Sequence, residues 1–582
     1  MNPIQQLVTE NIGLWTGADT AKKFGRGRAS GSAGTVYGIK KLRELILELA
    51  VSGKLVPQYA DDEPASALLQ KIRDEKARLI LDGKVKKDKP LAAIMDDEKP
   101  FSLPQRWSWV RLGNLLPEFQ NGASSRGDVN GNSVVVLRLA DIKDRRISLD
   151  DSRKLLIHQK MIDKYHLSIG DTLIVRVNGS SDLVGGFIVC DEHFDGIYCD
   201  HFIRMRISHE ILLPGFIALV GASRLIRDQI ENLFITTAGQ KTVNQAHISS
   251  LILPLLSIAE QHRIVAKVDE LMAMCDQLEV GHADAVDAHE KLVSNLLTML
   301  TGSQDSADFS ASWQRIAAHF DMLFTTESSI DALKQTLLQL AVMGKLVPQD
   351  PSEEPANALL ERIQAEKARL FFEGKIKKNK LLTAIVDDEN LFFLPQGWER
   401  INLGAIIELI SGQHLNPNEY FDSQDVGSIP YITGPADFGN IGPVPVRYTF
   451  ERRSLSLFDD VLLTVKGSGV GKINTVSQPE LAISRQLMAV RPIVVGTKFI
   501  ERLLLSMAET FQDLSIGIAI PGISREDVLN SIVALPPIAE QHRIVAKVDE
   551  LMALCDRMKA RIVDAAALQR KLADVMVAQA VA

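Results

Sequence analysis

IAEQHRIVAKVDELMA occupies residues 258–273 and recurs without a change at 538–553, an offset of 280. Sixteen consecutive identities are beyond chance, so the chain contains itself twice. A second block agrees at a different offset. GKLVPQYADDEPASALLQKIRDEKARL (53–79) and GKLVPQDPSEEPANALLERIQAEKARL (344–370) share 18 of 27 positions at offset 291. That match begins at IKKLRELILELAVSGKLV (39–56) and IDALKQTLLQLAVMGKLV (330–347). It runs through LPQRW (103–107) and LPQGW (394–398) and ends near Leu112-Gly113 and Leu403-Gly404. Between the repeated blocks lie two intervals, about 114–250 and 405–530, that do not resemble each other in sequence. A duplicated frame carrying one variable insert per half accounts for this, whereas solenoid periods of 20–50 residues do not.

The frame is helical. From Ile264, apolar or small residues recur at spacings of three and four through Val268, Leu271, Cys275, Leu278, Ala285, Leu292, Leu296 and Met299. The second copy runs through Ile544, Val548, Leu551, Cys555, Met558, Ile562, Ala565, Leu572 and Met576. Such stripes predict long helices over 258–300 and 538–577, with about 36 residues making a rod on the order of 54 Å. Pro254 and Pro537 are expected to mark the helix starts. Shorter helices are predicted at 39–51 and 330–342, with Gly53 and Gly344 as C-terminal caps and Pro57 and Pro348 preventing a restart. The DEKAR-like charge runs read as solvated helix faces. If each long helix packs against a short one, the two ends of the chain must meet and close it into a pseudo-symmetric ring.

Both inserts read as mixed α/β with short β-rich runs: VVVLRLADI (134–142), DTLIVRVNG (171–179) and HFIRMRI (201–207), then IPYITGPAD (429–437), DVLLTVKGSGVGKI (460–473) and QLMAV (486–490). A shared grammar emerges. One strand ends in Asp141 or Asp437, Asp171 or Asp460 precedes a buried strand, and a glycine turn follows. The inserts are expected to be one fold, diverged.

Composition sets bounds. With 582 residues, 46% hydrophobic and 24% charged, the chain is long enough for several cores and too apolar for disorder. Its net charge of −8 excludes a small, strongly basic nucleic-acid binder, though not a local DNA-binding face. Insert one holds 15 basic and 16 acidic residues and insert two 10 and 14, so neither has an electrostatic footprint for DNA. Base and phosphate contacts are nevertheless few and local. Four cysteines without C-x-x-C or Cys/His ligand spacing argue for a reducing compartment and against a structural zinc. No apolar run long enough for a membrane span and no signal-peptide pattern is seen, so a cytoplasmic location is expected.

Chemical motifs fail on inspection. GSGVGKI (467–473) lacks the glycine that a P-loop needs, since Lys466 stands there, and Ile473 replaces the Ser or Thr after Lys472. Asn416-Pro417-Asn418-Glu419-Tyr420 places its aromatic one residue late for an amino-methyltransferase loop and reads as a turn. His262 and His542 have no acid–base or nucleophilic partner at helical spacing and are expected to pack or cap. A binding or scaffold subunit, not an enzyme, follows.

The repeated frame resembles the specificity (S) subunit of type I restriction–modification enzymes. LRELILELAVSGKLVPQ (42–58), AVMGKLVPQ (341–349), EPASALLQKIRDEKARL (63–79) and its partner at 354–370 carry the likeness. So do both LPxxW segments and the blocks 254–276 and 536–556, where PLL departs from the usual PP. The likeness covers nearly the whole chain beyond residue 35. It implies two α/β target recognition domains joined by long antiparallel coiled-coil helices in a pseudo-twofold, circularly closed arrangement. The first 35 residues, including Gly25 to Gly34, lie outside the likeness, and 1–38 is expected to be an N-terminal mobile arm. The implied parts are a first conserved region (39–112), a first recognition domain (113–250), a central conserved spacer (251–343), a second conserved region (344–403), a second recognition domain (404–531) and a conserved C-terminal helix (532–582).

The resemblance further implies a bipartite, asymmetric double-stranded DNA target, two modification (methyltransferase) subunits and two restriction (motor and nuclease) subunits, in a prokaryotic cytoplasm. S-adenosylmethionine, ATP and Mg are expected on those partners, with no cofactor or metal on this chain. Frame positions expected in the coiled coil are Ile264, Val268, Leu271, Leu278, Ile544, Val548, Leu551 and Met558. Candidates for DNA contact in insert one are Arg138, Lys143, Arg145, Arg146, Arg176, Asn178, Arg204, Arg206 and Lys241. In insert two they are Thr433, Lys466, Ser468, Lys472, Arg485, Gln486 and Arg491. Arg and Lys can read guanine edges, and Asn and Gln adenine. Arg176 and Arg485, beside the shared grammar, are the leading picks. A non-catalytic scaffold or adaptor without DNA specificity of its own is the alternative reading.

Overall fold

A computed structural model describes residues 10–17, 36–83, 90–124, 127, 130–143, 145–193, 195–237, 239–303, 305–376, 382–385, 394–515 and 521–581. The chain divides into two compact units, one made of 1–285 with 565–582 and the other of 286–564. Two helices of 44 residues, Ile258–Thr301 and Ile538–Val581, contribute to both. Each is on the order of 66 Å long, longer than the stripes indicated.

In the first unit, the helix Tyr37–Val51 buries Ile39, Leu42, Leu45, Ile46 and Leu49. Those side chains share a core with Ile264, Val268, Leu271 and Cys275 of one long helix and Ala573 of the other. Leu278 packs half-buried against the same core. Polar contacts run along both seams. Arg43 binds Asp276 and Glu279 at 2.7 Å each, and the Tyr37 hydroxyl donates to Asp574 at 2.8 Å. In the second unit, the helix Glu327–Val342 places Ile330, Leu333, Leu337 and Leu340 against Val293, Leu297 and Leu300 and against Cys555. Lys559 reaches Asp331 at 2.7 Å. Ile544 and Val548 are buried, while Leu551 and Met558 pack half-buried.

Three expectations need correction. Beyond residue 290 the buried positions are Val293, Leu297 and Leu300, whereas Leu292 and Met299 are exposed. A seven-residue count drifts against the 3.6-residue turn of a straight helix, so the stripe slips by one. Pro254 does not start a helix. It lies in the strand Ile252–Leu255, which pairs with Ser108–Arg111 in a two-stranded ribbon, an edge position that tolerates a missing N–H. Residues 1–38 are not wholly an arm either. Ile12–Gly17 is a helix whose Trp15 is fully buried in the first core, because so large an apolar side chain gains by docking on Tyr37–Val51. Residues 1–9 and 18–35, including Gly25 to Gly34, lie outside the described residues.

The repeated motifs meet at one junction in each unit. Gly53 follows the first short helix at φ +75°, and Lys54 N–H bonds back to Leu49 at 3.0 Å, a left-handed helix stop. A Cβ at Gly53 would stand 2.5 Å from Pro104 Cγ, so the LPxxW segment packs directly on this stop. Trp107 Nε1 then donates to Glu260 Oε2 at 2.9 Å, and Gln58 donates to the other oxygen of the same carboxylate. The second unit repeats this with Gly344 against Pro395, Trp398 Nε1 to Glu540 at 2.9 Å and Gln349 to Glu540 at 3.2 Å. Outer ion pairs, Arg263 with Asp62 and Arg543 with Glu353, flank the two junctions. Burial pushes both glutamates above the usual carboxylate range, and the N–H donors oppose that shift.

A Glu260→Gln or Glu540→Gln substitution sets an amide NH2 against one of two N–H donors. Each is expected to cost about 1–3 kcal/mol, measured as a lowered denaturation midpoint of the affected unit. An unchanged midpoint would mean that the carboxylate does not hold the junction.

Candidate nucleic-acid interface

The two inserts share the topology of their central sheet and the parallel pair beside it. In the first, a four-stranded sheet runs in the order Glu118–Asn121, Phe202–Arg206, Thr172–Val175, Phe187–Val189. In the second, Ile407–Ser411, Leu487–Pro492, Val461–Thr464 and Ile473–Thr475 take the same places. Beside each lies a second sheet holding one parallel pair, Gly196–Tyr198 with Asn132–Leu137 and Glu480–Ile483 with Ile429–Ile432. The shared aspartates explain the common grammar. Asp141 accepts the Arg138 N–H and Asp437 the Thr433 N–H, each at 2.7 Å, and each caps a 3-10 turn.

Asp171 and Asp460 act at the opposite end of the central strands. Both carboxylates are buried, and each needs a counter-ion. Arg206 supplies it to Asp171 through two contacts of 2.6 Å, and Arg491 to Asp460 at 2.9 and 2.8 Å. Register sets Glu118 opposite Arg206 and Glu408 opposite Arg491, and Glu408 accepts from Arg491 at 3.1 Å. Arg204 is buried and paired with Glu118. Arg204, Arg206 and Arg491 are therefore structural cations of the sheet, a correction to their candidacy for DNA contact. Arg206 and Arg491 each engage a buried carboxylate through two donors, and Arg204 is itself buried with one donor on Glu118.

The remaining candidates gather at the other strand ends. In insert two, Val465 N–H bonds to the Gln486 carbonyl at 2.8 Å, Ser484 Oγ bonds to the Thr433 carbonyl at 2.5 Å, and Pro435 packs on Gly469. Three turns thus meet and leave Lys466, Ser468, Lys472, Arg485 and Gln486 exposed. Thr433 is half-buried with its hydroxyl on Asp437 at 2.8 Å. The 467–472 stretch is a turn between strands, with Gly467 and Gly471 at φ +88° and +86°, and not a phosphate loop opening a helix.

In insert one the corresponding end holds Arg176, half-buried and donating to the Asp200 carbonyl at 3.3 Å. Asn178 caps a turn through Ser180 N–H, and Lys241, in register with Asn178, donates to Gly179 at 3.2 Å. Arg138 is partly engaged by Asp141 at 2.9 Å. Lys143, Arg145 and Arg146 stand exposed on a short hairpin, Lys143 lying 3.6 Å from Asp150.

Two residues at this end escaped the sequence reading, Asp200 and His201. They are the corners of a β-turn closed by Phe202 N–H on the Cys199 carbonyl at 3.1 Å, and the matching turn, Leu487 on Ser484 at 2.9 Å, has Arg485 and Gln486 as its corners. Neither is a lysine or arginine and neither belongs to a motif, so nothing local in the sequence marks them. Among the described residues, Cys199, Asp200 and His201 also bring three ligand-type atoms within 4.8 Å of one another. Burial pushes the Cys199 thiol up, against the thiolate that metal binding needs, so the group makes a poor metal centre. His262 and His542 are exposed, and neither packs as expected. Asn416–Tyr420 is a turn, closed by Glu419 N–H on Asn416.

Comparison with known proteins joins the two readings. Over 98% of this chain and 99% of the relative, the sequence is 37% identical to the type I restriction enzyme EcoAI specificity subunit of Escherichia coli. The chain belongs to the specificity subunits of type I restriction–modification systems. The EcoEI specificity subunit of the same organism is 34% identical, again over 98% of this chain and 99% of its own length. A family model described as "Type I restriction modification DNA specificity domain" matches residues 395–565. Among solved structures, the HsdS subunit from Thermoanaerobacter tengcongensis aligns over 83% of this chain and 98% of its own, at 20% identity and a TM-score of 0.42. No helix among the described residues of this specificity subunit is long and apolar enough to cross a membrane.

Arg491→Leu leaves Asp460 buried without its main partner. It is expected to destabilise the second unit by about 3 kcal/mol, with Arg206→Leu acting in the same direction on the first. Both are read by thermal unfolding. Any residual activity should keep the wild-type DNA target, and a changed target would return these arginines to the reading surface.

Proposed function

We propose that this specificity subunit reads a bipartite, asymmetric DNA sequence, one half with each insert. On this reading the frame holds two modification subunits and serves the restriction subunits, and this chain performs no chemistry itself. The observation that carries the proposal is the pairing of one topology with two different sets of exposed residues at the same strand ends. Asp200 and His201 stand where Arg485 and Gln486 stand, while the ion pair behind them is kept. A scaffold has no use for such a pattern, whereas a two-part reader requires it.

The frame supports the paired partners. Ala259, His262, Ala266 and Ala273 are exposed along one helix face, and Ala539, His542, Ala546 and Ala553 repeat them, exposed as well. Elsewhere the frame has diverged to 18 identities in 27 positions. Identity on a solvated face, where side chains drift freely, is what two copies of one partner would impose. Circular closure and pseudo-twofold symmetry belong to the same reading. The contacts of Tyr37 with Asp574 and of Lys559 with Asp331 set a short helix against the C-terminal long helix in either unit. S-adenosylmethionine, ATP and Mg are assigned to the partner subunits, and a prokaryotic cytoplasm to the complex.

The direct test is methylome sequencing of a methylation-deficient host that expresses this chain with its modification partner. N6-methyladenine confined to one two-part motif is expected. An assembled complex with an active partner and no methylation would remove the DNA assignment and leave a scaffold. Docking is tested separately by mass photometry. Ala266→Arg or Ala546→Arg should each remove one modification subunit, and the double variant both. A stoichiometry indifferent to these changes would place docking elsewhere.

A further inference from the structure

We propose that the corners of one β-turn, Asp200 and His201 in insert one and Arg485 and Gln486 in insert two, are specificity-determining contacts to base edges. The inference rests on the DNA-reading assignment above and names where in each insert the reading occurs.

The turn is held in the same way twice. Cys199 N–H bonds to the Leu137 carbonyl at 3.1 Å, and Ser484 N–H to Ile432 at 2.9 Å. Arg176 N–H bonds to the His201 carbonyl at 2.7 Å, and Val465 N–H to Gln486 at 2.8 Å. On the far side, Gly122 N–H bonds to Phe202 and Gly412 N–H to Leu487, at 3.0 Å each. A Cβ on Gly122 would lie 2.0 Å from the Cys199 carbonyl oxygen, and a Cβ on Gly412 equally close to that of Ser484. Glycine is therefore required in both places, and the backbone of the turn is clamped from three sides by main-chain groups alone.

Side chains at the corners take no part in that clamp. Asp200, His201, Arg485 and Gln486 sit at the surface at the junction of the two sheets. The fold thus places two surface side chains on a rigid support in each insert, His201 Nδ1 lying 3.4 Å from the Asp200 carboxylate in the first, and this is the arrangement that side-chain reading of a groove demands. Their chemistry is complementary to bases and differs between the inserts. Arg can donate two bonds to guanine, Gln can bond bidentately to adenine, and Asp can accept from the cytosine amino group. Cations stand beside both turns, Arg176 and Arg138 in insert one and Lys466 in insert two, where they can meet phosphates while the corners meet bases.

Asp200→Asn, His201→Ala, Arg485→Ala and Gln486→Ala are each expressed with the modification partner in a methylation-deficient host, and the methylome is sequenced. The first two are expected to relax or shift one position in one half-site, and the last two one position in the other. Discrimination at that position should fall roughly tenfold or more, while the opposite half-site stays as in wild type. An unchanged consensus in all four variants overturns the proposal. So does a uniform loss across all sequences, which marks phosphate contact instead. A variant that methylates nothing is scored by selecting duplexes from a randomised library with its purified complex. An altered consensus there upholds the proposal, and an unaltered consensus or none overturns it. A wild-type protein that yields no two-part motif fails the functional reading first, which distinguishes that failure from this one.

Discussion

A buried carboxylate in each unit is the constraint around which the frame is arranged. Glu260 and Glu540 open their long helices, and an ionised side chain removed from water is tolerated only when its oxygens are bonded. An indole N–H and a glutamine amide provide those bonds. The donors come from segments far apart in sequence, Trp107 lying 153 residues from its acceptor. Three repeated motifs that share no chemistry in linear view are therefore parts of one contact. Losing the tryptophan or the glutamine leaves a buried carboxylate short of a donor, and losing the glutamate leaves two donors without an acceptor, which accounts for all three standing in both halves.

Each insert divides its charges between two jobs. At one end of the central strands, arginine and aspartate neutralise each other inside the sheet. At the other, the backbone satisfies itself in interlocking turns and releases the side chains. This separation lets exposed residues change sign, from Asp200 to Arg485, without disturbing the ion pair that holds the strands.

The duplication, the long helices and the two aspartate-marked strands were all legible in linear sequence, since each rests on periodicity or repetition. The role of Arg206 and Arg491 was not. Nothing near Asp171 indicates a partner 35 residues later, and only the strand register brings the two together. Arg176 and Arg485 were singled out because they adjoin the shared grammar, and Arg485 lies at a turn corner of insert two. Asp200 and His201 were missed because a turn corner is defined by the hydrogen bond beneath it. Trp15 was set aside with the segment that lies outside the family likeness, although its size alone argued for burial. Pro254 misled through a rule true of helix starts and equally compatible with a ribbon edge.

The bond between Tyr37 and Asp574 spans 537 residues. During synthesis, the helix Tyr37–Val51 leaves the ribosome well before Ala573, Met576 and Val577, which join its core, are made. At roughly 5–20 residues per second the interval is on the order of half a minute to two minutes. Throughout that time the nascent chain carries an incompletely covered hydrophobic strip. A chain that stops short of Ala573 leaves that strip without the cover that the second long helix adds.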